Sequence, residues 1–446
     1  MTSILSIVLG LIVLGILVFI HESGHFLAAK ACGFRVLAFS LGFGAPLFKK
    51  TVNGTEYRIG VVPFGGYVKM AGENPEEERD GSADEFMSKP IWQRMVVAIA
   101  GPLFNYISAL VMLWVMFIAG TERPIYLERP VVGAVSDSSI AKGAGLRAGD
   151  SIVVINGRTV SDWEGIEAAF ATQEHLYTVE YVRGGDKHGR AVMEMNTDKS
   201  GAMPKDPTGG LLPPLPAIVG EVLPGSAAQA AGLRKNDRII SIDGHSIESW
   251  FELVFIVGAF RGDSALTMVV LRDNAEITAV MTPKYDETAK KALIGVSVSE
   301  GAKRMVRYSP IHAVSKAIDK GWEFTTMIFD VIGKLFSQKV SANQLSGPIG
   351  IIPASGFIML QGLAPILNFM ALIGINLAVL NLMPLVITDG GLIFFMLIEA
   401  VRRKPLSLKT QLLFNRVAIA FFLALFLFIS FNDVKRLPEY FRLFGK

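Results

Sequence analysis

Read as a succession of hydrophobic and polar positions, the chain alternates between membrane and soluble character. Residues 1–20 carry no charged side chain, a run that suits a hydrocarbon core about 30 Å thick. A second uncharged run extends from about Met95 to Gly120, a third from Ala364 to Leu385 with apolar composition continuing to Ile398, and a fourth from Val417 to Phe431. Between the second and third, from Thr121 to about Glu300, hydropathy falls to that of ordinary soluble protein. The pattern predicts a polytopic α-helical membrane protein with about four transmembrane helices and a soluble insert between helices two and three. The first run lacks a basic start and an Ala-x-Ala cleavage site, so it reads as a retained span.

Two segments follow neither pattern. Thr55 to Met70 alternates residue types and is broken by Pro63, Gly65 and Gly66, which predicts two short strands and a turn, a membrane-associated β-hairpin lying toward the first span. Residues 73–85 are acidic and polar and read as a solvated loop. From Ser309 to Val340 an apolar pattern is interrupted by Lys316, Asp319, Lys320, Glu323, Asp330 and Lys334. That spacing predicts an amphipathic helix on the membrane surface.

The soluble insert repeats itself. Ala144-Gly145-Leu146-Arg147 recurs as Ala231-Gly232-Leu233-Arg234, Asp150 as Asp237, Ile155-Asn156-Gly157 as Ile242-Asp243-Gly244 and Trp163 as Trp250, every pair 87 residues apart. A constant offset means two copies of one α+β domain, and the turn sequences resemble those of PDZ domains in their permuted bacterial form. PDZ domains take up extended peptides by strand addition; rigid spacers are the plainer alternative. The expected organisation is helices one and two with the hairpin over 1–120, PDZ copies over 121–210 and 211–300, an amphipathic linker over 301–345, and helices three and four over 346–446.

Composition agrees with this division, with 51% hydrophobic and 19% charged residues. The formal net charge of +3 favours no nucleic-acid partner. Cys32 is the single cysteine, so neither an internal disulfide nor a cysteine-rich zinc site can form, and its expected role is packing. Lys30, Arg35, Lys49, Lys50 and Arg58 after the first span, with Arg402, Arg403, Lys404 and Lys409 before the last, place both segments in the cytoplasm and the insert outside.

The candidate chemistry sits at the end of the first span, in His21-Glu22-Ser23-Gly24-His25. Two histidines four residues apart lie on one face of a helix and can share a zinc ion, and a carboxylate beside the metal can take a proton from water. A five-residue pattern with two free positions arises by chance in soluble helices, but ionisable groups at membrane depth are costly and functional by default. His21 lies roughly 26 Å along the helix from its start, near the far edge of the bilayer. Asn105 in the second span reads as a helix-packing hydrogen bond, with an outer-shell role at the site as the alternative.

Taken in order, the motifs resemble those of the site-2 proteases, intramembrane zinc metalloproteases. They are His21-Glu22-x-x-His25, Phe43-Gly44, Pro63 through Met70, Gly101-Pro102-x-x-Asn105, the tandem PDZ pair, Ser346-Gly347-Pro348-Ile349, Asn381-x-x-Pro384 and Asp389-Gly390. The resemblance implies that Asp389 is the third zinc ligand beside His21 and His25, that Glu22 is the catalytic base, and that Asn381 helps hold substrate. The hairpin residues Gly65, Gly66, Tyr67 and Val68 are the expected strand partner of an unwound substrate. Further implications are Zn²⁺ as cofactor, a bacterial inner membrane location with periplasmic PDZ domains, and a site near the cytoplasmic face. The expected substrate is a single-span membrane protein of the anti-sigma-factor type already trimmed outside, with remnant signal peptides as a second class, and the enzyme is expected to be a monomer in the lipid bilayer. The chain departs from the family pattern at Thr388, where leucine is usual, and at Val386, where a second proline is common. An ion-coupled transporter and a non-catalytic PDZ scaffold are the rival classes; zinc content separates both from a protease.

Overall fold

The computed structural model describes residues 2–336 apart from 75–79, 171–173, 196–205, 207, 263, 288–290 and 300. Beyond that it describes 358, 361–384, 388–404 and scattered positions up to 431. The chain divides into two compact units, Met1–Thr121 with Val306–Lys446, and Glu122–Met305.

The first unit is helical, with α1 (Thr2–Ala31), α2 (Ile91–Ala119), α3 (Pro310–Phe336), α4 (Leu363–Leu382) and α5 (Asp389–Arg402). Three stretches, Val8–Ala31, Ile91–Ala119 and Leu363–Leu382, are long and apolar enough to cross a membrane, so the protein is multi-pass. The expected last span is described only in part, with Val417 to Ala420 helical; the Ser346-Gly347-Pro348-Ile349 motif and residues 337–345 of the expected linker lie outside the described residues.

Lipid offers no hydrophobic drive for one helix to leave it for another, so close backbone approach must do the packing. Ala109, Ala317 and Ala371 are all at most 2% exposed where α2, α3 and α4 meet. Gly374 of α4 sits so close to α2 that a β-carbon there would touch Ala109 Cβ and the Asn105 carbonyl, each at 3.5 Å. The helix expected to be amphipathic, α3, runs back along the C-terminal half of α2. Trp114 Nε1 donates to the Pro310 carbonyl at 3.0 Å, and the hydroxyls of Tyr106 and Thr325 meet at 3.1 Å. Its buried stripe is Ala313, Ala317, Phe324 and Ile328, while Ile311, Trp322 and Phe329 remain exposed.

Between α1 and α2 the chain forms one sheet from β1 (Val36–Val52) and β2 (Thr55–Met70). Its register is more folded than a simple hairpin. Ala38 pairs with both Glu56 and Lys69, Phe39 with Tyr57 and Val68, Ser40 with Arg58 and Tyr67, and Leu41 with Ile59 and Gly66. The two halves of β2 therefore flank residues 38–41 and do not pair with each other. The segment 66–70 is left at one end of the sheet and 48–52 at the other. Val36, Phe39, Val68 and Met70 bury one face against Ala29, Phe34, Phe86 and Val97, which fastens the sheet to α1 and α2. Cys32 packs at the margin of this core as a free thiol.

The second unit holds two copies of one arrangement. Residues 158–159, 151–155, 176–183 and 187–194 form one antiparallel four-stranded sheet in that order, and 245–246, 238–242, 266–272 and 275–281 form its counterpart. Each sheet carries a helix opened by tryptophan, Trp163–Phe170 and Trp250–Ala259. Equivalent residues do equivalent work. Ser139 and Ser226 cap a short helical turn by accepting from Lys142 N and Gln229 N, and Asn156 and Asp243 both take φ of 47° in the following turns. Asp150 and Asp237 are both fully buried, each accepting from a main-chain N–H three residues before it and gripped by an arginine, Arg183 and Arg272 respectively.

A buried carboxylate held this way is expensive to break. Burial opposes ionisation of Asp237, but the Arg272 guanidinium and the Arg234 N–H outweigh it and hold the carboxyl below its ordinary value. Asp237→Ala is expected to destabilise its copy by about 3 kcal/mol, because Arg272 loses its partner. The stabilisation from Asp237 is complete above the unfolded pKa of about 3.9 and fades as pH falls through the lower folded value. Thermal melts against pH should show that acid-side loss in the wild type and a shallower one in Asp237→Asn; equal slopes would exclude the linkage.

Candidate metal centre

The His21-Glu22-x-x-His25 motif lies in the last third of α1, where the residue spacing stacks both imidazoles on one side. Their ring centroids are 4.7 Å apart and their Nε2 atoms 3.2 Å apart. Asp389, the first residue of α5, closes the group, with Oδ2 3.3 Å from His21 Nε2 and Oδ1 3.4 Å from His25 Nε2. Among the described residues this is the one group of three or more histidine, cysteine or acidic side chains able to hold a metal ion. The spacing can be tested against the ion. Tetrahedral zinc with bonds of about 2.0–2.1 Å separates its ligand atoms by roughly 3.3–3.4 Å; the two Nε2 atoms lie close to that separation, and Asp389 turns one oxygen to each imidazole. Two imidazoles and a carboxylate are also a donor set suited to catalytic zinc, leaving one position free.

The surroundings hold these ligands in place. His25 Nδ1 donates to the Val97 carbonyl at 2.8 Å, which leaves its Nε2 lone pair facing Asp389. That bond needs α1 and α2 almost in backbone contact. A β-carbon on Gly24 would run into the Ala100 carbonyl, and one on Gly101 into the His25 imidazole itself. Gly390 likewise lies against the Leu382 and Met383 carbonyls, so the start of α5 packs directly on the end of α4, which places Asp389 at the site. The Thr388 hydroxyl donates to the Met383 carbonyl at 3.1 Å at the same junction; Val386 lies outside the described residues.

A cavity of about 200 Å³ opens on the group, lined among others by Glu22, Gly66, Tyr67, Val68, Val97 and Leu392. Glu22 is 8% exposed, and a β-carbon on Gly66 would lie 2.8 Å from its Cγ, so the sheet edge rests directly on this carboxylate. Tyr67 stacks on Phe43 with centroids 6.0 Å apart. The expected site residues thus divide. His21, Glu22, His25, Asp389, Gly66, Tyr67 and Val68 come together around one cavity. Gly65 does not line it; with φ of 79° it turns the strand where a β-carbon would strike the Phe43 ring. Asn381 lies half-buried in the last turn of α4 and is likewise absent from the cavity wall.

A model of peptidase family M50 matches residues 9–425.

The chain belongs to peptidase family M50.

It is 33% identical to protease RseP of Yersinia pestis over 98% of this chain and 100% of that protein. It is 32% identical to the regulator of sigma-E protease RseP of Escherichia coli (strain K12) over 96% and 98%, and equally so to the regulator of sigma E protease of Haemophilus influenzae. This M50 protein is therefore an intramembrane zinc metalloprotease related to RseP, with a candidate His-His-Asp metal site.

One feature of this M50 site escapes the sequence. Arg94, 4% exposed on α2, makes a paired bond to Glu399 of α5 at 2.6 and 3.1 Å, tying the helix that starts at Asp389 to the helix that supports His25. Asn105, for which the sequence offered helix packing first and an outer-shell role as the alternative, lies with its side-chain amide 3.3 Å from His21 Nδ1.

Gly101→Ala is expected to push His25 off the Val97 carbonyl and lower zinc affinity by about tenfold or more, the scale at which supporting contacts act. Gly15→Ala, where a β-carbon meets nothing within 4 Å, should leave it unchanged. Metal content after dialysis against a graded chelator reads the difference.

Proposed function

We propose that this protease hydrolyses a peptide bond of a single-span membrane protein at the cavity bounded by His21, His25 and Asp389, with Glu22 as the base. The observation that carries this reading is that Glu22, the three candidate ligands and one end strand of the β1–β2 sheet line the same cavity. Zinc held by His21, His25 and Asp389 supplies a Lewis acid that acidifies water and polarises a carbonyl. Glu22, buried beside them, takes the proton of the attacking water and passes it to the departing amine. Both transfers need only its carboxylate oxygens, so hydrolysis balances without a further reactant.

A substrate helix hides its carbonyls in its own hydrogen bonds and must be extended before attack. Gly66, Tyr67 and Val68 pair with β1 along one side among the described pairings, at the end of the sheet nearest the cavity, where an extended strand could add. Gly66, Tyr67 and Val68 would then hold the chain across the cavity, with Asn381 acting on substrate from the end of α4. Phe43, Leu47, Phe48, Val61 and Val62 are exposed and apolar on the same sheet, which fits a sheet seated in lipid.

The names of the relatives, regulators of sigma-E protease, favour a substrate of the anti-sigma-factor type. The two copies in Glu122–Met305 read best as tandem PDZ domains that lie in the periplasm and exclude substrates with bulky outer domains. The fourth span, the bacterial inner membrane, the cytoplasmic side for the site and a monomeric enzyme complete the reading.

Glu22→Gln should keep zinc and fold while cutting turnover at least a hundredfold, since general-base catalysis is worth about 10²–10⁴-fold. Membrane proteomics on cells carrying this variant should then show single-span proteins accumulating; turnover above one hundredth of wild type would remove Glu22 from the role of base.

Val68→Pro deletes a backbone N–H on the end strand and should slow cleavage of a stable helical substrate far more than Val68→Ala, with zinc content equal in both. A Gly-Pro pair near the scissile bond should partly restore the rate. Cleavage by Val68→Pro at the wild-type rate would show that the sheet edge does not hold substrate.

A further inference from the structure

Asn105 is fully buried on α2, and its amide has two ends that differ in chemistry but hardly in shape. Nδ2 lies 3.3 Å from His21 Nδ1, while Oδ1 is buried without a partner. An N–H donated to Nδ1 would leave the ring hydrogen of His21 on Nε2. Nε2, however, is the atom that faces His25 Nε2 at 3.2 Å and Asp389 at 3.3 Å. A metal among those three groups requires a lone pair there, so Nδ1 must carry the hydrogen and must donate it. Among the described residues Asn105 is the one side chain bonded to Nδ1.

We infer that Asn105 is a positioning residue whose side-chain carbonyl, with the amide turned end for end, accepts the His21 Nδ1–H and fixes the tautomer that presents Nε2 to zinc. The inference rests on the reading of His21 as a ligand. It completes a symmetry already visible at His25, whose Nδ1–H is accepted by the Val97 carbonyl. Both acceptors come from α2, one from the main chain and one from a side chain. A helix-packing role explains the contact less well, because the Asn105 amide makes no bond to α3 or α4 among the described residues. The helix contact at this level is made by the Asn105 main-chain carbonyl, which accepts from Ser108 Oγ at 2.9 Å and lies against Gly374.

The test is zinc affinity of the purified full-length protein, measured by competition with a chromophoric chelator. Asn105→Ala and the volume-matched Asn105→Leu should weaken zinc binding about 10–100-fold, whereas Asn105→Asp, which can only accept, should stay within roughly threefold of wild type. Asparagine replaced by a smaller or apolar residue can also disturb packing, and the aspartate variant separates the two effects. Equal weakening in Asp, Ala and Leu would mean that the residue serves packing and would overturn the inference, as would wild-type affinity in Asn105→Ala. His21→Ala guards the premise: if it binds zinc as wild type does, the ligand set fails and the inference with it. If His21→Ala loses zinc while Asn105→Ala keeps it, the inference alone fails.

Discussion

The contact on which the site depends is the near-touching of α1 and α2 at Gly24 and Gly101. In lipid no hydrophobic force selects this crossing, and the available selection is steric, through residues small enough to let backbones meet. Once they meet, the carbonyls and side chains of α2 come within reach of both imidazoles of α1. His25 donates to Val97, and His21 faces Asn105. A wider crossing would leave two histidines in an apolar segment with nothing to orient them.

The third member of the group arrives by a different route. Asp389 begins a helix of 14 residues, too short to be held by its own packing across a membrane. Its near end is fixed by the packing of Gly390 on the end of α4 and its far end by the Arg94–Glu399 pair. A buried pair of this kind adds little net stability, because desolvation cancels much of the attraction. Its two-point geometry does restrict how α5 can rotate and slide on α2, and a carboxylate only ten residues away moves with that helix. Both ends of α5 are thus referred back to α2 or to the end of α4, which itself packs on α2.

What could be read from the sequence was whatever repeats at short range or at a fixed interval. The spans show as uncharged runs, the histidine pair as a four-residue spacing, and the duplicated insert as an offset of 87 that reappears in paired caps, turns and buried aspartates. Contacts between distant segments left no such trace. Arg94 and Glu399 stand 305 residues apart and look, in sequence, like charges bordering two apolar runs. Alternation over Thr55–Met70 was legible as strand, but the expected turn within it is a single strand, and its pairing with Val36–Val52, both halves flanking the same part of β1, depends on a fold-back that alternation does not encode.

That fold-back has a chemical consequence. A two-stranded hairpin would expose both of its edges equally, whereas the doubled register buries residues 38–41 between two partners and leaves 66–70 at the end beside Glu22. The edge next to the cavity is then backed by a strand already paired on both sides, and that strand is anchored to the α1–α2 core through Val36 and Phe39. At that end Gly66 comes against Glu22 without a side chain between them. The same glycine that lets the sheet reach the site leaves no room there for a larger residue, which binds the position of the strand to the position of the base.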